Sequence, residues 1–588
     1  MRKLGIVLQR VRDRFLPQEW PALRWLLGLH ILLQLTGIFW DLPASFEWEN
    51  DGVAPRDFFA GIALNLPPGP GHTYPLLHNL LLGLLNLPTL LISLLTAPSW
   101  QPDALVKHIL DYPTMTPVYL LAKLLSVATG TLALAALTRV TARLWTREAG
   151  TFAAAWAMTN LTVAYYGRTV NLDGPYLCWM ALAADRLLDV LETGNPRDYK
   201  IFALLVAASI ATKDQAYAAW LLPGLLFLLV FPLFRPLPAG KAHWRRLLVA
   251  LGVGALGLGL LGGGLLNPPG FLNRLHTLTG PASQNWRSYD SSLAGLQQNL
   301  LGTLRTLPDD WWPLPVLLLI LPGLALALRL ERLPRLLPLL LALSHFLGFT
   351  LVVARVGARF TLPTGFWLAS YLGVATAFLL EKPRLHLKIP LILLWLLALS
   401  HTLTVQVAQW TDARHPLEAW LEQLPPGTQI LTLGPVVSQP RWGRSSVAHL
   451  QVTRLGPEPT DQRNPLIGVT ELQGDWQQIL DRQPQVIVVP GPFLSEFSAK
   501  TVEKGAIVQE VVVHKQQGMG AQVLAQLAGN RLEGYTVRRL PNQYPQLLGA
   551  LGLPLPHVHS SVGEEVYVAT RLQGKLPELP QSQAIAPL

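Results

Sequence analysis

Four carboxylates and a histidine crowd one stretch of this chain: Glu47, Glu49, Asp51 and Asp57, followed by His72 with Tyr74 beside it. A second acid, Asp173, closes the run Tyr166-Gly167-Arg168-Thr169-Val170-Asn171-Leu172-Asp173-Gly174-Pro175. Cations stand elsewhere, Lys213 after an apolar run and Arg355 and Arg359 before another. A carboxylate can take a proton from an incoming hydroxyl. Lysine and arginine can hold a phosphate leaving group, arginine through a two-pronged fork. Brought together beside a bilayer, such groups suit cleavage of a lipid-linked phosphosugar. Each has a plainer reading. Asp51 is a solvated acid, Asp173 is the N-cap of a helix with Pro175 in its first turn, and Arg355 and Arg359 are interfacial anchors. His72 packs or bonds locally, and Asp185, Arg186 and Asp189 are structural.

The elements that must position these groups are membrane helices. Half of the 588 residues are hydrophobic and only 14% are charged. Long uncharged stretches repeat through the first 410 residues, which excludes a soluble enzyme and implies a polytopic α-helical membrane protein. The single cysteine, Cys178, allows neither a disulfide nor a cysteine metal site. The net charge of +10 is not a nucleic-acid signal. The basic residues cluster in short loops between apolar spans, the positive-inside pattern. The basic N-terminus (Arg2, Lys3, Arg10, Arg12, Arg14) has no small-residue cleavage site after its apolar run and reads as an uncleaved signal anchor.

Spans are expected at about 22–40, 115–138, 149–166, 174–193, 216–234, 247–266, 311–328, 336–354, 360–380 and 389–408, with a short one at 201–212. The basic connections 139–147, 197–200, 235–246, 329–335 and 382–388 fall on the cytoplasmic side only if 76–97 does not cross. Asn79, Asn86, Pro88 and Pro98 interrupt that segment, which is therefore expected on the outer face. Eleven crossings result, with the N-terminus cytoplasmic in the inner or plasma membrane. The segment 201–212 reaches only about 18 Å of a roughly 30 Å core. Lys213 and Asp214 then sit below the outer interface and face a wet cavity, unless the boundary is mis-set and they snorkel.

From about 411 the composition changes. Short β-type runs at 429–433, 486–489, 511–513 and 565–568 alternate with amphipathic helical stretches at 417–424 and 475–482. The pattern predicts an extracytoplasmic α/β domain over 411–588, loose from about Gly574. The remainder, 1–410, is the transmembrane catalytic part, with 41–112 as its first outer loop and surface helices.

The order of the motifs resembles the GT-C superfamily of membrane glycosyltransferases, nearest to family 39, which includes protein O-mannosyltransferases and lipid A aminoarabinose transferases. Asn50-Asp51 is similar to that family's acidic pair in the first outer loop. His72-Thr73-Tyr74-Pro75-Leu76-Leu77 resembles its His/Tyr-Pro-Pro-Leu segment with one proline replaced. The run from Tyr166 to Tyr176 resembles its second acidic motif, and Ala211-Thr212-Lys213-Asp214 and Arg359-Phe360-Thr361-Leu362-Pro363 its Thr-Lys and Arg-Tyr-x-x-Pro elements. Asp412-Ala413-Arg414, Trp420 and Leu424-Pro425-Pro426-Gly427-Thr428 resemble the opening of its C-terminal domain. The resemblance covers the chain to about 430.

It implies a GT-C fold and a polyprenyl-phosphate sugar donor lying in an outer-facing cavity of the bilayer. It also implies attack with inversion by an acceptor on a protein, lipid or cell-envelope glycan. Asp51 matches the family's base by position. Asn50 replaces an acid of the usual pair, so Glu49 is the second candidate catalytic carboxylate. Asp173, Arg168, Lys213, Arg359, His72 and Tyr74 are the expected substrate-binding residues. No cofactor and no nucleic-acid partner are expected; the resemblance leaves a divalent metal open. A lipid or solute transporter is the alternative. Its ionisable groups would lie near mid-bilayer and its halves would repeat, whereas here the acids cluster in outer loops and no repeat is visible. A non-catalytic scaffold gives no reason for Lys213 at membrane depth.

Overall fold

The computed structural model describes residues 14, 19–49, 51–72, 74–234, 237–279, 287–329, 333–381, 385–455, 466–472, 483–491, 527, 532–541, 565–572, 576–580 and 582–584. Asn50, Thr73, the predicted helix at 475–482, the predicted strand at 511–513 and the basic residues Arg2, Lys3, Arg10, Arg12, Arg235, Arg332, Lys382 and Arg384 lie outside the described residues.

Leucine- and alanine-rich runs make helices, and the punctuation between them sets the boundaries. Asp111 opens Tyr112–Leu144 by accepting from the Tyr112 amide (2.8 Å). Asn195 opens Pro196–Ile210 by accepting from the Arg197 amide (2.9 Å), with Pro196 in the first turn. Among the described residues seven helices are long and apolar enough to cross a membrane: Leu77–Leu95, Tyr112–Leu144, Asp214–Phe234, Ala242–Leu261, Leu333–Thr350, Ala358–Leu380 and His386–Leu421. An eighth arises if the pair Leu293–Asp310 and Leu314–Arg329, bent by 109°, counts as one span. Many of their leucines point outward, as lipid-facing side chains do.

The expected eleven crossings are therefore not all uniform helices. The first is a 15-residue helix, Pro21–Leu35. The stretch 149–166 breaks into Arg147–Ala157 and Leu161–Tyr166, because Asn160 turns its side chain to cap the second piece (Oδ1 to the Val163 amide, 3.1 Å). The short span begins earlier than expected, at Pro196, which extends it to about 22 Å. Leu77–Leu95 is as fit to cross as its neighbours by length and composition. Its expected place along the outer face rests on loop charge and on the interruptions at Asn79, Asn86, Pro88 and Pro98. A labelling experiment decides it. Ser446→Cys, exposed in the C-terminal part, is expected to react with a membrane-impermeant thiol reagent added outside. Glu148→Cys, exposed beside the 139–147 connection, is expected to stay protected. The opposite pattern reverses the topology.

At the other end of the bundle Asp185 is buried and accepts from Arg14 Nε (2.8 Å), Arg139 Nε (2.9 Å) and Arg143 Nη1 (2.8 Å). Asp189 pairs with Arg143 (2.8 Å). These acids tie helices together, as the structural reading expects.

After Trp410 the described residues form a short helix, Arg414–Leu421, and a sheet of seven strands. The strands are β1 (Gln429–Leu433), β2 (Gln451–Leu455), β3 (Val469–Leu472), β4 (Val486–Pro490), β5 (Tyr535–Leu540), β6 (Val566–Arg571) and β7 (Gln583–Ala584), in the order β3-β2-β1-β4-β6-β5-β7. The first four are parallel; β6 joins β4 antiparallel, and β5 and β7 continue antiparallel. β4 is central and buried at every residue, which is why it reads as an unbroken apolar run. Strand alternation splits the apolar side chains between two faces. Ile430, Val452, Val486 and Val488 join Leu417, Trp420 and the helical bundle in one continuous core. Leu431, Leu433, Ile487, Val489 and Val537 form a second core on the far face.

Candidate active site

The acidic loop is fixed at its root by a buried salt bridge. Asp41, with φ 66°, bonds Lys123 Nζ (2.5 Å) and Tyr119 Oη (2.5 Å) and accepts the Trp48 amide (3.2 Å). At its far end the Val53 amide donates to the Val170 carbonyl (3.2 Å), which lays the loop against the second acidic motif. Between these ties Asp51 holds φ 63°, a left-handed conformation that aspartate tolerates better than most residues. Gly52 follows where a Cβ would meet Val170 Cγ2 at 2.9 Å and Glu47 Cγ at 3.0 Å, so glycine is required for the close approach.

Two ion pairs stand side by side. Asp51 pairs with the Arg359 guanidinium. Asp173 is fully buried and bonds Lys213 Nζ at 2.6 Å and Gln215 Nε2 at 3.1 Å; Gln215 Nε2 also reaches Tyr176 Oη at 2.9 Å. Asp173 is thus the first residue of its helix, and its carboxylate is turned to the cations instead of capping the backbone. Burial would raise the Asp51 acid. Arg359 first, then Lys213 and Arg355, outweigh it and hold that carboxyl below its ordinary value. Asp51 is therefore ionised at neutral pH, and the fields of both cations reach it.

Glu49 behaves in the opposite way. It is buried and accepts a hydrogen bond from Tyr165 Oη. Burial raises its carboxyl to about 8, despite the opposing effects of the Tyr165 bond and Arg359. A neutral acid at pH 7 is a donor, not a base. The folded state holds this proton and the unfolded state loses it near its ordinary value, so the folded state is progressively penalised as pH rises between about 4.5 and about 8. Glu49→Gln mimics the protonated form. It is expected to flatten that part of the pH–stability curve and to cost little turnover at pH 7. Chemical denaturation at a series of pH values checks it; an unchanged slope would show that Glu49 is already ionised.

Tyr74 stands within reach of the Asp51 charge. The Arg274 guanidinium lies 5.4 Å from its ring centre, and burial, then Asp51, pushes its phenol up to about 12. His72 does not join the acids. Its Nε2 meets the Gly262 carbonyl (3.1 Å) and its ring stands edge-on to Phe271, which is the local packing its plainer reading gives. Arg168 is buried beside Gly37 and Gln409, and its guanidinium nitrogens have no hydrogen-bond partner among the described residues. It makes no contact with Asp51 or Asp173 that would place it on the same substrate group. Asp214, next to Lys213, is held by Arg274 Nε (2.8 Å). Tyr165, Gln215, Asp41, Lys123 and Arg274 are participants that sequence reasoning missed. Gln215 alone left a signal, two residues beyond Lys213. Among the described residues no group of three or more His, Cys, Asp or Glu side chains could hold a metal ion.

No protein-family model and no curated protein matches the chain. Among solved structures it is similar to ArnT from Cupriavidus metallidurans bound to undecaprenyl phosphate, at 12% identity over 94% of this chain and 99% of that one, with a TM-score of 0.44. It is similar to the Archaeoglobus fulgidus oligosaccharyltransferase AglB in complex with an inhibitory peptide and a dolichol-phosphate, at 12% identity over 88% of this chain and 73% of that one (TM-score 0.41). A complex of the Archaeoglobus fulgidus oligosaccharyltransferase with Zn and sulfate gives 11% identity over 90% and 74%, with a TM-score of 0.40.

Proposed function

We propose that the chain is a membrane glycosyltransferase that moves a sugar from a polyprenyl phosphate to a hydroxyl on an extracytoplasmic protein, lipid or glycan. The observation that carries this reading is that the Asp51–Arg359 and Asp173–Lys213 pairs stand close enough for the charges of each to act on the other. An arriving donor phosphate competes for the two cations. Arg359 offers a planar fork and Lys213 a point charge, and both stabilise the phosphate oxygen as it departs. Released from Arg359, Asp51 accepts the proton of the acceptor hydroxyl. That oxygen bonds the anomeric carbon while the sugar–phosphate C–O bond breaks on the opposite side, so the configuration inverts. The polyprenyl phosphate leaves with the bonding pair. Asp173, fixed by Gln215, keeps Lys213 in place. Protonated Tyr74 supplies a hydrogen-bond donor beside the sugar. The sheet domain lies outside with the site at the membrane surface.

The test is transfer by the purified full-length protein offered a panel of polyprenyl-phosphate sugars and hydroxyl acceptors. Release of free polyprenyl phosphate coupled to an inverted product is expected with one donor of the panel. Vectorial movement of such lipids without bond cleavage would replace this reading with a transport function.

A further inference from the structure

The indole of Trp48, one residue before Glu49, is fully buried and is not held by the membrane helices alone. Its Nε1 donates to the Gln439 carbonyl (2.9 Å), in the turn that follows β1. Two guanidiniums lie over its ring, Arg414 at 3.9 Å and Arg441 at 4.8 Å from the ring centre, and His415 packs at 5.4 Å. Neither arginine is free to drift. Arg414 is locked to Asp412 (Nη2–Oδ2 2.7 Å), which also accepts from Trp40 Nε1 (3.1 Å). Arg441 is locked to Glu418 (Nε–Oε1 2.9 Å) and also donates to the Leu42 carbonyl. All of Asp412, Arg414, Glu418 and Arg441 are buried. The contacts join residues 40–48 to residues 412–441.

We infer that Trp48 is the positioning residue through which segment 412–442 holds the acidic loop in register with Arg359 and Tyr165. The inference rests on the proposed function only for its effect on turnover. The loop from Trp48 to Val53 hangs between this anchor and the Val53–Val170 bond, with Glu49 and Asp51 inside the span. A cation over an aromatic face attracts through the ring quadrupole and gains strength when water is excluded, as it is here. Removing the indole leaves the two guanidiniums facing a void, and the near end of the loop keeps its backbone bond to Asp41 but loses its side-chain anchor. Asp51 then wanders relative to the acceptor, and misplacement by about 1 Å costs about 10²-fold in rate.

The experiment uses the full chain in lipid nanodiscs, with Trp48→Ala and Trp48→Phe compared against wild type. Hydrogen exchange across 48–53 is read without substrate, and kcat and donor KM are read separately. Trp48→Ala is expected to exchange faster in that segment and to lose about 10²-fold in kcat with donor KM little changed. Trp48→Phe keeps a smaller aromatic face under the arginines, loses the N–H and part of the ring, and is expected to recover much of both. Wild-type exchange and kcat in Trp48→Ala overturn the inference. So does a parallel collapse of kcat, KM and melting temperature that phenylalanine does not rescue. If wild type transfers no sugar, the proposed function fails, and the exchange comparison still decides whether Trp48 anchors the loop.

Discussion

Asp51→Asn is expected to reduce turnover by about 10²–10⁴-fold while the protein still folds, inserts and binds donor. Asparagine has nearly the same shape and is among the residues that accept the left-handed conformation held at position 51 (φ 63°). What it removes is the proton acceptor. Arg359 keeps its charge for the donor phosphate and loses its competing carboxylate, so donor affinity is expected to hold or rise. Turnover measured beside binding of polyprenyl phosphate separates the two effects. Near-normal turnover in Asp51→Asn together with an inactive Glu49→Gln would move the base to Glu49, against the raised proton affinity that burial gives that residue.

Lys213→Ala is expected to damage both stability and donor use. Its partner Asp173 is fully buried, and with lysine gone Gln215 Nε2 still donates to it but brings no positive charge. Stranding one member of a buried ion pair typically costs about 3–5 kcal/mol. Adding Asp173→Asn removes the stranded charge and is expected to restore most of the lost stability. Donor saturation is expected to stay impaired in the double variant, because the phosphate still lacks its cation. Denaturation curves and donor titrations on the single and double variants supply the measurements. Recovery of both properties in the double variant would reduce Lys213 to a structural partner of Asp173.

Much of this arrangement was legible along the chain, for identifiable reasons. Long uncharged runs make apolar helices long enough to cross a membrane, so the helical body is written in composition. Strands β1, β4 and β6 stood out because they are apolar and branched. β2 and β5 did not, because Gln451, Thr453 and Arg454 in one and Arg538 and Arg539 in the other break the apolar run. Asp51, Asp173, Lys213 and Arg359 could be named because their types are costly near a bilayer. Their pairing could not, since Arg359 lies 308 residues from Asp51. The Glu49 environment was also out of reach. Its unusual proton affinity comes from burial, and burial at that position depends on Tyr165 and the loop's docking, which no local pattern announces. Asn160 misled the reading of 149–166, because a polar residue inside an apolar run can either be carried within a helix or, as here, end one piece and cap the next.

The bond from Trp48 to the Gln439 carbonyl spans 391 residues. During synthesis, at about 5–20 residues per second, roughly 20–80 s separate the emergence of the two partners. Through that interval the acidic loop exists without its upper anchor, while Asp41, Tyr119 and Lys123 are already in place to hold its root. Maturation is therefore ordered in time. A nascent chain carries the carboxylates of the acidic loop before the side-chain anchor of that loop exists, so an incomplete protein in the membrane is expected to consume the donor lipid poorly. The turn after β1 can close over the indole only late in synthesis, once Gln439 has emerged.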